Sequence, residues 1–185
     1  MIEGPENSAI IAGPVSDAVT RSELADFWET HKISVKTVDH DPVFTVEEGR
    51  KLKLGLTGGH SKNLFLKDKN GAKLLVVAHC DTRADLVGLG KAIGAKGRLS
   101  FGSADLLGET LGIMPGAVTP FALINKGAKS LRMLIFDRRL LEFETLWFHP
   151  LENCASTAIS PGDLIRFVSL CGFNPRIVDL AAPRA

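Results

Sequence analysis

The pentapeptide Gly116-Ala117-Val118-Thr119-Pro120 is the first stretch of the sequence that could do chemistry. Gly116 can adopt backbone angles that other residues avoid, and Pro120 fixes its own φ and favours an extended Thr119. A loop of fixed shape can hold its N–H groups outward, where they would bind a carbonyl or phosphate oxygen. A plain connection from a loop into a strand is the alternative, and the five residues alone do not decide between the two.

Lys62 and His149 are two titratable side chains that could act together with such a loop. Lys62 opens an otherwise apolar run, where an ammonium group at the rim of a pocket could bind a phosphate or a carbonyl oxygen. An exposed lysine at a strand end fits the same pattern, because charged residues usually lie on the surface. His149 stands where a strand should end, and a single histidine there is more often structural than catalytic.

A group of polar residues follows His149 in the chain: Asn153, Ser156 and Thr157. Their amide and hydroxyl groups could bond a ribose or an amino group. Capping and turn roles would explain them equally well.

The sequence offers no recognisable side-chain nucleophile. It contains no GxSxG motif, and neither Cys80 nor Cys154 lies in a signature of a cysteine nucleophile with a placed histidine. The three cysteines, which include Cys171, form no CxxC pair, and their odd number argues against a disulfide framework or a zinc ribbon. A reducing compartment is the simplest expectation.

Composition indicates one globular domain without a strong charge of either sign. The chain has 185 residues, of which 45% are hydrophobic and 23% charged, enough to bury a sizeable core. Lys and Arg number 22 against 21 Asp and Glu, a formal charge of +1, so any contact with RNA must be local.

The N-terminus and the apolar runs indicate where in the cell the protein is expected. The N-terminus carries no basic-then-apolar signal pattern, and no apolar run approaches the length of about 18 residues that a membrane span needs. We therefore expect a cytoplasmic protein that does not contact the membrane. Residues 1–19 mix Gly, Pro, Ser and Asn and predict a loose leader, with a single domain over 20–185.

Helices are predicted from capping boxes and apolar stripes. Thr20 to Glu23 forms a capping box, followed by apolar residues at helical spacing that end at His31. A second capping box at Thr45 predicts a helix to about Leu54. Further helices are predicted over 85–93, over 103–111 and after Ser160, the last of these ending at Gly172.

Strand-like runs occur near 35–38, 62–68, 73–79, 98–101, 118–124, 132–136 and 143–148. Asn70-Gly71 lies between two of these runs and predicts an antiparallel hairpin, and 137–139 should form another turn. Because at least two strand pairs are joined by connections too short for parallel crossovers, the sequence predicts a mixed α/β fold of the α+β kind, with helices packed around a mixed sheet.

Several of these motifs, in this order, resemble the YbaK/ProX family of prolyl-tRNA editing domains, and most closely its free-standing ProX type. The resemblance covers some 160 residues from about Ser22 onward and rests on these segments: 43–48 (VFTVEE), 61–66 (SKNLFL), 99–101 (LSF), 116–121 (GAVTPF) and 148–153 (FHPLEN) with Ser156 and Thr157 after it.

The resemblance implies a largely antiparallel mixed sheet, partly rolled into a barrel with flanking helices. It implies hydrolysis, without metal or cofactor, of the ester that joins a wrong amino acid to the 3′ end of a tRNA. It places an invariant catalytic-site lysine at Lys62, makes Gly116 to Pro120 the loop that positions the aminoacyl carbonyl, and puts His149 at the pocket floor. The implied partners are the acceptor end of tRNA(Pro) and prolyl-tRNA synthetase.

For the substrate, the resemblance favours alanine on tRNA(Pro), with cysteine or another small residue as an alternative. A non-catalytic module that binds tRNA or the synthetase is a further alternative. Because the ester is already activated, a positioned water, an oxyanion grip and the neighbouring ribose hydroxyl could suffice for hydrolysis. The residues predicted to contact the substrate are Val43, Phe44, Thr45, Asn63, Leu64, Ala117, Val118, Asn153, Ser156 and Thr157.

Overall fold

The structure is a computed structural model that describes residues 17–43 and 55–181. Its α-helices are α1 (Arg21–Thr30), α2 (Leu86–Ala92), α3 (Ala104–Leu111) and α4 (Pro161–Leu170). Its strands are β1 (Val35–Asp39), β2 (Gly59–Lys67), β3 (Lys73–His79), β4 (Ser100–Phe101), β5 (Leu131–Asp137), β6 (Leu146–Phe148), β7 (Ala155–Ile159) and β8 (Arg176–Val178). Short 3₁₀-helices span Pro120–Ile124, Lys126–Ser130 and Arg138–Glu142.

The strands form one mixed sheet in the order β1-β7-β6-β2-β3-β5-β8, and β4 pairs with β2 beside this path. The pairs β1–β7, β2–β3, β2–β4 and β6–β7 are antiparallel, whereas β2–β6, β3–β5 and β5–β8 are parallel. No pairing among the described residues closes the path from β1 to β8. The predicted α+β class, with a mixed sheet and flanking helices, is confirmed.

Each face of the sheet packs into its own apolar cluster, because side chains alternate along a strand. The main core includes Phe65 of β2, Phe121 and Phe167. A smaller second core lies on the opposite face and includes Leu66 of β2, with Leu64 packed against it. Neighbouring residues of β2 therefore serve different cores.

The predicted helix ends are confirmed where the capping chemistry was clear. Thr20 and Glu23 form a reciprocal capping box at the start of α1. Ser103 and Ser160 each accept a backbone N–H at the start of α3 and α4. α3 ends at Gly112 with a left-handed φ of 66°. The helix predicted from Thr45 to Leu54 falls outside the described residues.

The predicted strand over 118–124 is wrong, because Pro120–Ile124 forms a 3₁₀-helix. The Thr119 side chain accepts the Phe121 N–H at 3.3 Å, and Pro120 takes the first helical position, where its missing N–H has no cost. Most of this apolar run is buried, so its composition does not distinguish a strand from a helix.

The strand predicted over 143–148 is shorter than expected and covers only Leu146–Phe148. The turn predicted at 137–139 is a 3₁₀-helix over Arg138–Glu142, and the Asp137 carboxylate accepts the Arg139 N–H at its start. β7 and β8 have no counterpart among the predicted strands. In β7 the buried positions are filled by Ala155, Thr157 and Ile159, and because the first two are small or polar, the apolar alternation is weak.

β2 has a strand on both sides only at Leu66 and Lys67. On one side it pairs with β3 from Ser61 to Lys67. On the other side β6 pairs with Gly59 and His60, and β4 pairs with Leu66 and Lys67. Within the part of the chain that the structure describes, residues 61–64 face no strand on this second side. We call this stretch the β2 gap.

Two further expectations concern the chain as a whole. No helix in the described ranges is long and apolar enough to cross a membrane. Of the predicted leader, residues 17–19 are described, and there the Val19 N–H donates to Asn125 Oδ1 at 2.8 Å.

Candidate functional site

Asn63 joins the β2 gap to the loop 116–120. Its Nδ2 donates to the Val118 carbonyl oxygen at 2.8 Å and to Ser61 Oγ at 3.3 Å. Ser61 Oγ in turn donates to the Trp147 carbonyl oxygen at 3.0 Å, which ties β2 to β6. The loop, β2 and β6 therefore meet where the sheet is interrupted.

The loop itself has the fixed shape that its sequence predicts. Gly116 has a φ of 91°, and Thr119 is extended with φ −154° and ψ 149°. The Ala117 N–H donates to the Met114 carbonyl oxygen at 3.1 Å and is therefore not available to a ligand. The N–H groups of Gly116, Val118 and Thr119 donate to no other group in the described ranges. Gly116 and Val118 are half-buried, so their N–H groups are the loop donors that a ligand oxygen could reach, whereas Thr119 is fully buried.

Lys62 lies in the same gap but on the other face of the strand from Asn63. By strand alternation its side chain shares a face with Leu64, which packs against the second core, whereas Asn63 shares a face with Phe65 of the main core. Lys62 is half-buried. None of the ion pairs among the described residues includes Lys62.

His149 follows the last residue of β6 and is held in one tautomer. Its Nδ1–H donates to the Ala155 carbonyl oxygen at 2.8 Å, so Nε2 of the neutral ring is an acceptor. Burial lowers the pKa of His149, the bond to Ala155 opposes that change, and the nearby His40 lowers the pKa further. The His40 and His149 ring centroids are 6.0 Å apart.

This lowered pKa predicts a loss of stability in acid. A ring with a lowered pKa in the folded state takes up a proton more readily when unfolded, so stability falls as the pH drops through the unfolded value and levels off below the folded pKa. Between about pH 7.5 and about pH 5.5, around the ordinary histidine pKa, the wild type should lose more free energy of unfolding in urea than His149→Asn. Asparagine keeps a donor near Ala155, and equal losses in the two proteins would contradict the prediction.

The other predicted substrate residues lie at different depths. Thr157 is fully buried, and its hydroxyl lies 2.8 Å from that of Thr37. Ser156 Oγ lies 2.9 Å from His40 Nε2. The Asn153 carbonyl oxygen accepts the N–H of Val43, which is buried. Phe44 and Thr45 fall outside the described residues.

Sequence reasoning missed the roles of Ser61 and His40. Ser61 belongs to the segment 61–66 that carries the family resemblance, and its position next to Lys62 was the available signal. His40 directly follows β1, and its Nδ1–H donates to the Asp41 carbonyl oxygen at 2.7 Å. For both residues, the surrounding sequence does not distinguish this role from that of an ordinary turn residue.

One hydrogen-bond acceptor in the β2 gap has no partner among the described residues. Asn63 Oδ1 is buried and accepts no hydrogen bond within the described ranges. Most buried polar atoms in folded proteins have a partner, so each exception calls for an explanation. An acceptor beside the loop donors could bind a positively charged or N–H-bearing group.

Among the described residues, the end of β3 offers a group of side chains that could bind a metal ion. The side chains of His79, Cys80 and Asp81 offer ligand atoms within 4.8 Å of one another. His79 Nδ1 already accepts the Asp81 N–H at 3.2 Å, which leaves one ring nitrogen. His79 ends β3, Cys80 and Asp81 begin the turn after it, and none of the three is among the predicted site residues.

The chain is similar to known proteins over most of its length. The model of a family described as aminoacyl-tRNA editing domain matches residues 40–167. The chain is 35% identical over 150 residues to the prolyl-tRNA editing protein ProX of Acetoanaerobium sticklandii, which covers 80% of this chain and 90% of that protein. It is 38% identical over 170 residues to the prolyl-tRNA synthetase associated domain-containing protein 1 of Bos taurus, which covers 89% of this chain and 98% of that protein.

A solved structure described as a candidate trans-editing enzyme for prolyl-tRNA synthetase has a similar fold. It superposes with a TM-score of 0.66 at 20% identity, over 89% of this chain and 98% of that chain. At this identity the likeness is one of fold.

Proposed function

Because the chain belongs to the aminoacyl-tRNA editing domain family, we propose that it is a trans-editing deacylase that hydrolyses the ester between a wrong amino acid and the 3′ end of tRNA(Pro). One relative named for prolyl-tRNA editing, at 35% identity over 80% of this chain, supports the choice of tRNA. The observation that supports the proposal is the hydrogen bond from Asn63 to Val118, which joins the loop 116–120 to the β2 gap. Lys62 lies in the same gap, with its side chain on the opposite face of β2 from Asn63.

The loop would bind the oxygen that becomes negatively charged during hydrolysis. When water attacks the ester carbonyl carbon, the carbonyl oxygen gains charge, and preorganised N–H donors stabilise that charge. The N–H groups of the half-buried residues Gly116 and Val118 are the candidate donors. Collapse of this intermediate breaks the bond to the ribose oxygen, which leaves with a proton as the hydroxyl.

Lys62 supplies the positive charge in this scheme. Its ammonium would bind the terminal phosphate or the carbonyl oxygen and hold the ester in the gap. The adjacent ribose hydroxyl positions the attacking water, so no side-chain nucleophile is needed. Because the proposed reaction uses neither a metal ion nor a cofactor, hydrolysis should persist in the presence of a chelator.

The amino group of the substrate would be recognised by acceptors. Asn63 Oδ1 is buried without a partner in the described ranges, and His149 presents Nε2 as an acceptor when its ring is neutral. Each could accept an N–H from the α-amino group. His40 and Ser156 contact each other beside His149 and would hold this part of the pocket in place.

The proposed substrate is alanyl-tRNA(Pro), with prolyl-tRNA(Pro) excluded by pocket size. A closed pocket admits a small residue and rejects a larger one by steric overlap, as in double-sieve editing. Buried Val43 and half-buried Leu64 are the described apolar residues that we propose for the wall.

A panel of tRNA(Pro) charged with Ala, Cys, Ser or Pro tests the proposal. We expect alanyl-tRNA(Pro) to be deacylated about 100-fold faster than prolyl-tRNA(Pro), the range that one or two methylenes can give in a fitted pocket. Val43→Ala should raise prolyl-tRNA(Pro) cleavage while alanyl-tRNA(Pro) cleavage continues. Val168→Ala, a buried valine of α4, is the matched control and should leave the ratio unchanged.

The outcomes of the panel separate the alternatives. Cleavage of the cysteinyl form without the alanyl form would overturn the substrate assignment and keep the deacylase. Binding of tRNA(Pro) without cleavage of any form would favour a non-catalytic module. We also propose a cytoplasmic location and association with prolyl-tRNA synthetase, which co-purification of the two proteins would test.

A further inference from the structure

His60 and Trp147 form a pair of nearly parallel rings on neighbouring strands. They are register partners where β2 meets β6, their ring centroids are 6.5 Å apart, and the ring planes differ by 13°. The His60 side chain is exposed and Trp147 is half-buried. We call these two residues the aromatic pair.

The polar edge of each ring donates a hydrogen bond to a backbone carbonyl oxygen. The Trp147 Nε1–H donates to the Thr57 carbonyl oxygen at 2.8 Å. The His60 Nε2–H donates to the Leu56 carbonyl oxygen, also at 2.8 Å. Because backbone carbonyls bind these edges, the rings are ordered before any ligand arrives, and a ligand that stacks on them loses less conformational entropy.

The aromatic pair lies next to Lys62 and on the same face of β2. His60 and Lys62 are two residues apart in one strand, so their side chains point to the same face at a spacing of about 6.6 Å. The pair therefore borders the β2 gap at the end where β6 pairing stops.

We propose that the aromatic pair stacks against the 3′-terminal adenine of the tRNA, a site that rests on the proposed function. The terminal adenine is attached to the same ribose that carries the aminoacyl ester, so its base must lie in the neighbourhood of the reacting carbonyl. A base-binding surface beside Lys62 suits this nucleotide better than bases further along the acceptor end.

Stacking also suits the charge of the protein. The chain carries a formal charge of only +1, so phosphate contacts alone supply limited affinity. A base stacked on an aromatic side chain contributes about 1–3 kcal/mol, and every base offers a π-face for this contact.

The test uses an uncharged RNA hairpin of the tRNA(Pro) acceptor stem, ending in CCA or truncated to CC. Dissociation constants are measured for the wild type, Trp147→Ala and Trp147→Phe. We expect Trp147→Ala to weaken binding of the CCA hairpin by about 5- to 150-fold and to have little effect on the CC hairpin. Trp147→Phe should keep most of the affinity, because it keeps a ring.

Two controls separate stacking from a structural role. Trp147→Phe and Trp147→Ala both lose the hydrogen bond to Thr57, so equal losses in affinity would assign the effect to that bond and overturn the proposal. Fluorescence gives a direct readout, since the chain has two tryptophans and Trp28 is buried. The CCA hairpin should quench the wild type more than Trp147→Phe.

Further outcomes would overturn the stacking site. If Trp147→Ala weakens both hairpins equally, or if the wild type binds neither, the pair does not contact the terminal adenine. Deacylation of mischarged tRNA(Pro) by the same preparations tests the proposed function separately. A wild type that deacylates but shows no difference between the hairpins would overturn the stacking site alone.

Discussion

Lys62→Ala is expected to lower kcat for deacylation of mischarged tRNA(Pro) by about 10²–10³, the loss that follows removal of one preorganised group that stabilises transition-state charge. The side chain is half-buried and belongs to no ion pair among the described residues, so its loss should change the free energy of unfolding by only about 0.5 kcal/mol. Single-turnover kinetics and urea unfolding measure the two effects.

Lys67→Ala is the matched control for this substitution. Lys67 is a half-buried lysine of the same strand, but it lies at the β4 end of β2, where strands flank it on both sides. It should retain wild-type turnover. A folded Lys62→Ala variant with near-wild-type activity would remove Lys62 from the site.

Gly116→Ala is expected to reduce turnover by about 100-fold, because a displacement of the reacting groups by 1 Å can cost that much. Gly116 has a φ of 91°, which an alanine can adopt only with strain. The loop would shift to relieve this strain and would move the Gly116 and Val118 N–H groups. The strain itself should cost about 1–2 kcal/mol of stability.

Gly71→Ala distinguishes loop geometry from general destabilisation. Gly71 has a similar φ of 82° in the β2–β3 hairpin, and a Cβ there would meet no atom within 4 Å. We expect a similar loss of stability in both variants and a loss of activity only in Gly116→Ala. If both variants are equally active, the loop shape does not matter for catalysis.

Local chemistry made the helix ends and the hairpin predictable from sequence. A hydroxyl at Thr20, Ser103 or Ser160 caps a helix through bonds within a few residues of itself, and Asn70-Gly71 forms a turn for similarly local reasons. The rigid shape of the loop around Gly116 and Pro120 was predictable in the same way. Neighbouring residues determine these features, so a single sequence is enough.

The features that could not be predicted depend on contacts between residues far apart in the chain. β7 forms because β1 and β6 flank it, although its buried positions are mostly small or polar. The hydrogen bond from Asn63 to Val118 joins residues 55 positions apart, and nothing in either segment indicates the other. Gly116 and Lys62 could be proposed for a site from the family resemblance, but the strand interruption that brings their segments together could not.

The β2 gap has a consequence for self-association. An unpaired strand edge exposes N–H and C=O groups to which another chain can add a strand, and this is a common route to aggregation. In this sheet the unpaired stretch is internal, because β6 bounds it at His60 and β4 bounds it at Leu66. A foreign strand would have to fit within residues 61–64. Within the described residues, the fold thus leaves 61–64 without a second neighbouring strand, while β6 and β4 leave little length for another polypeptide to pair there.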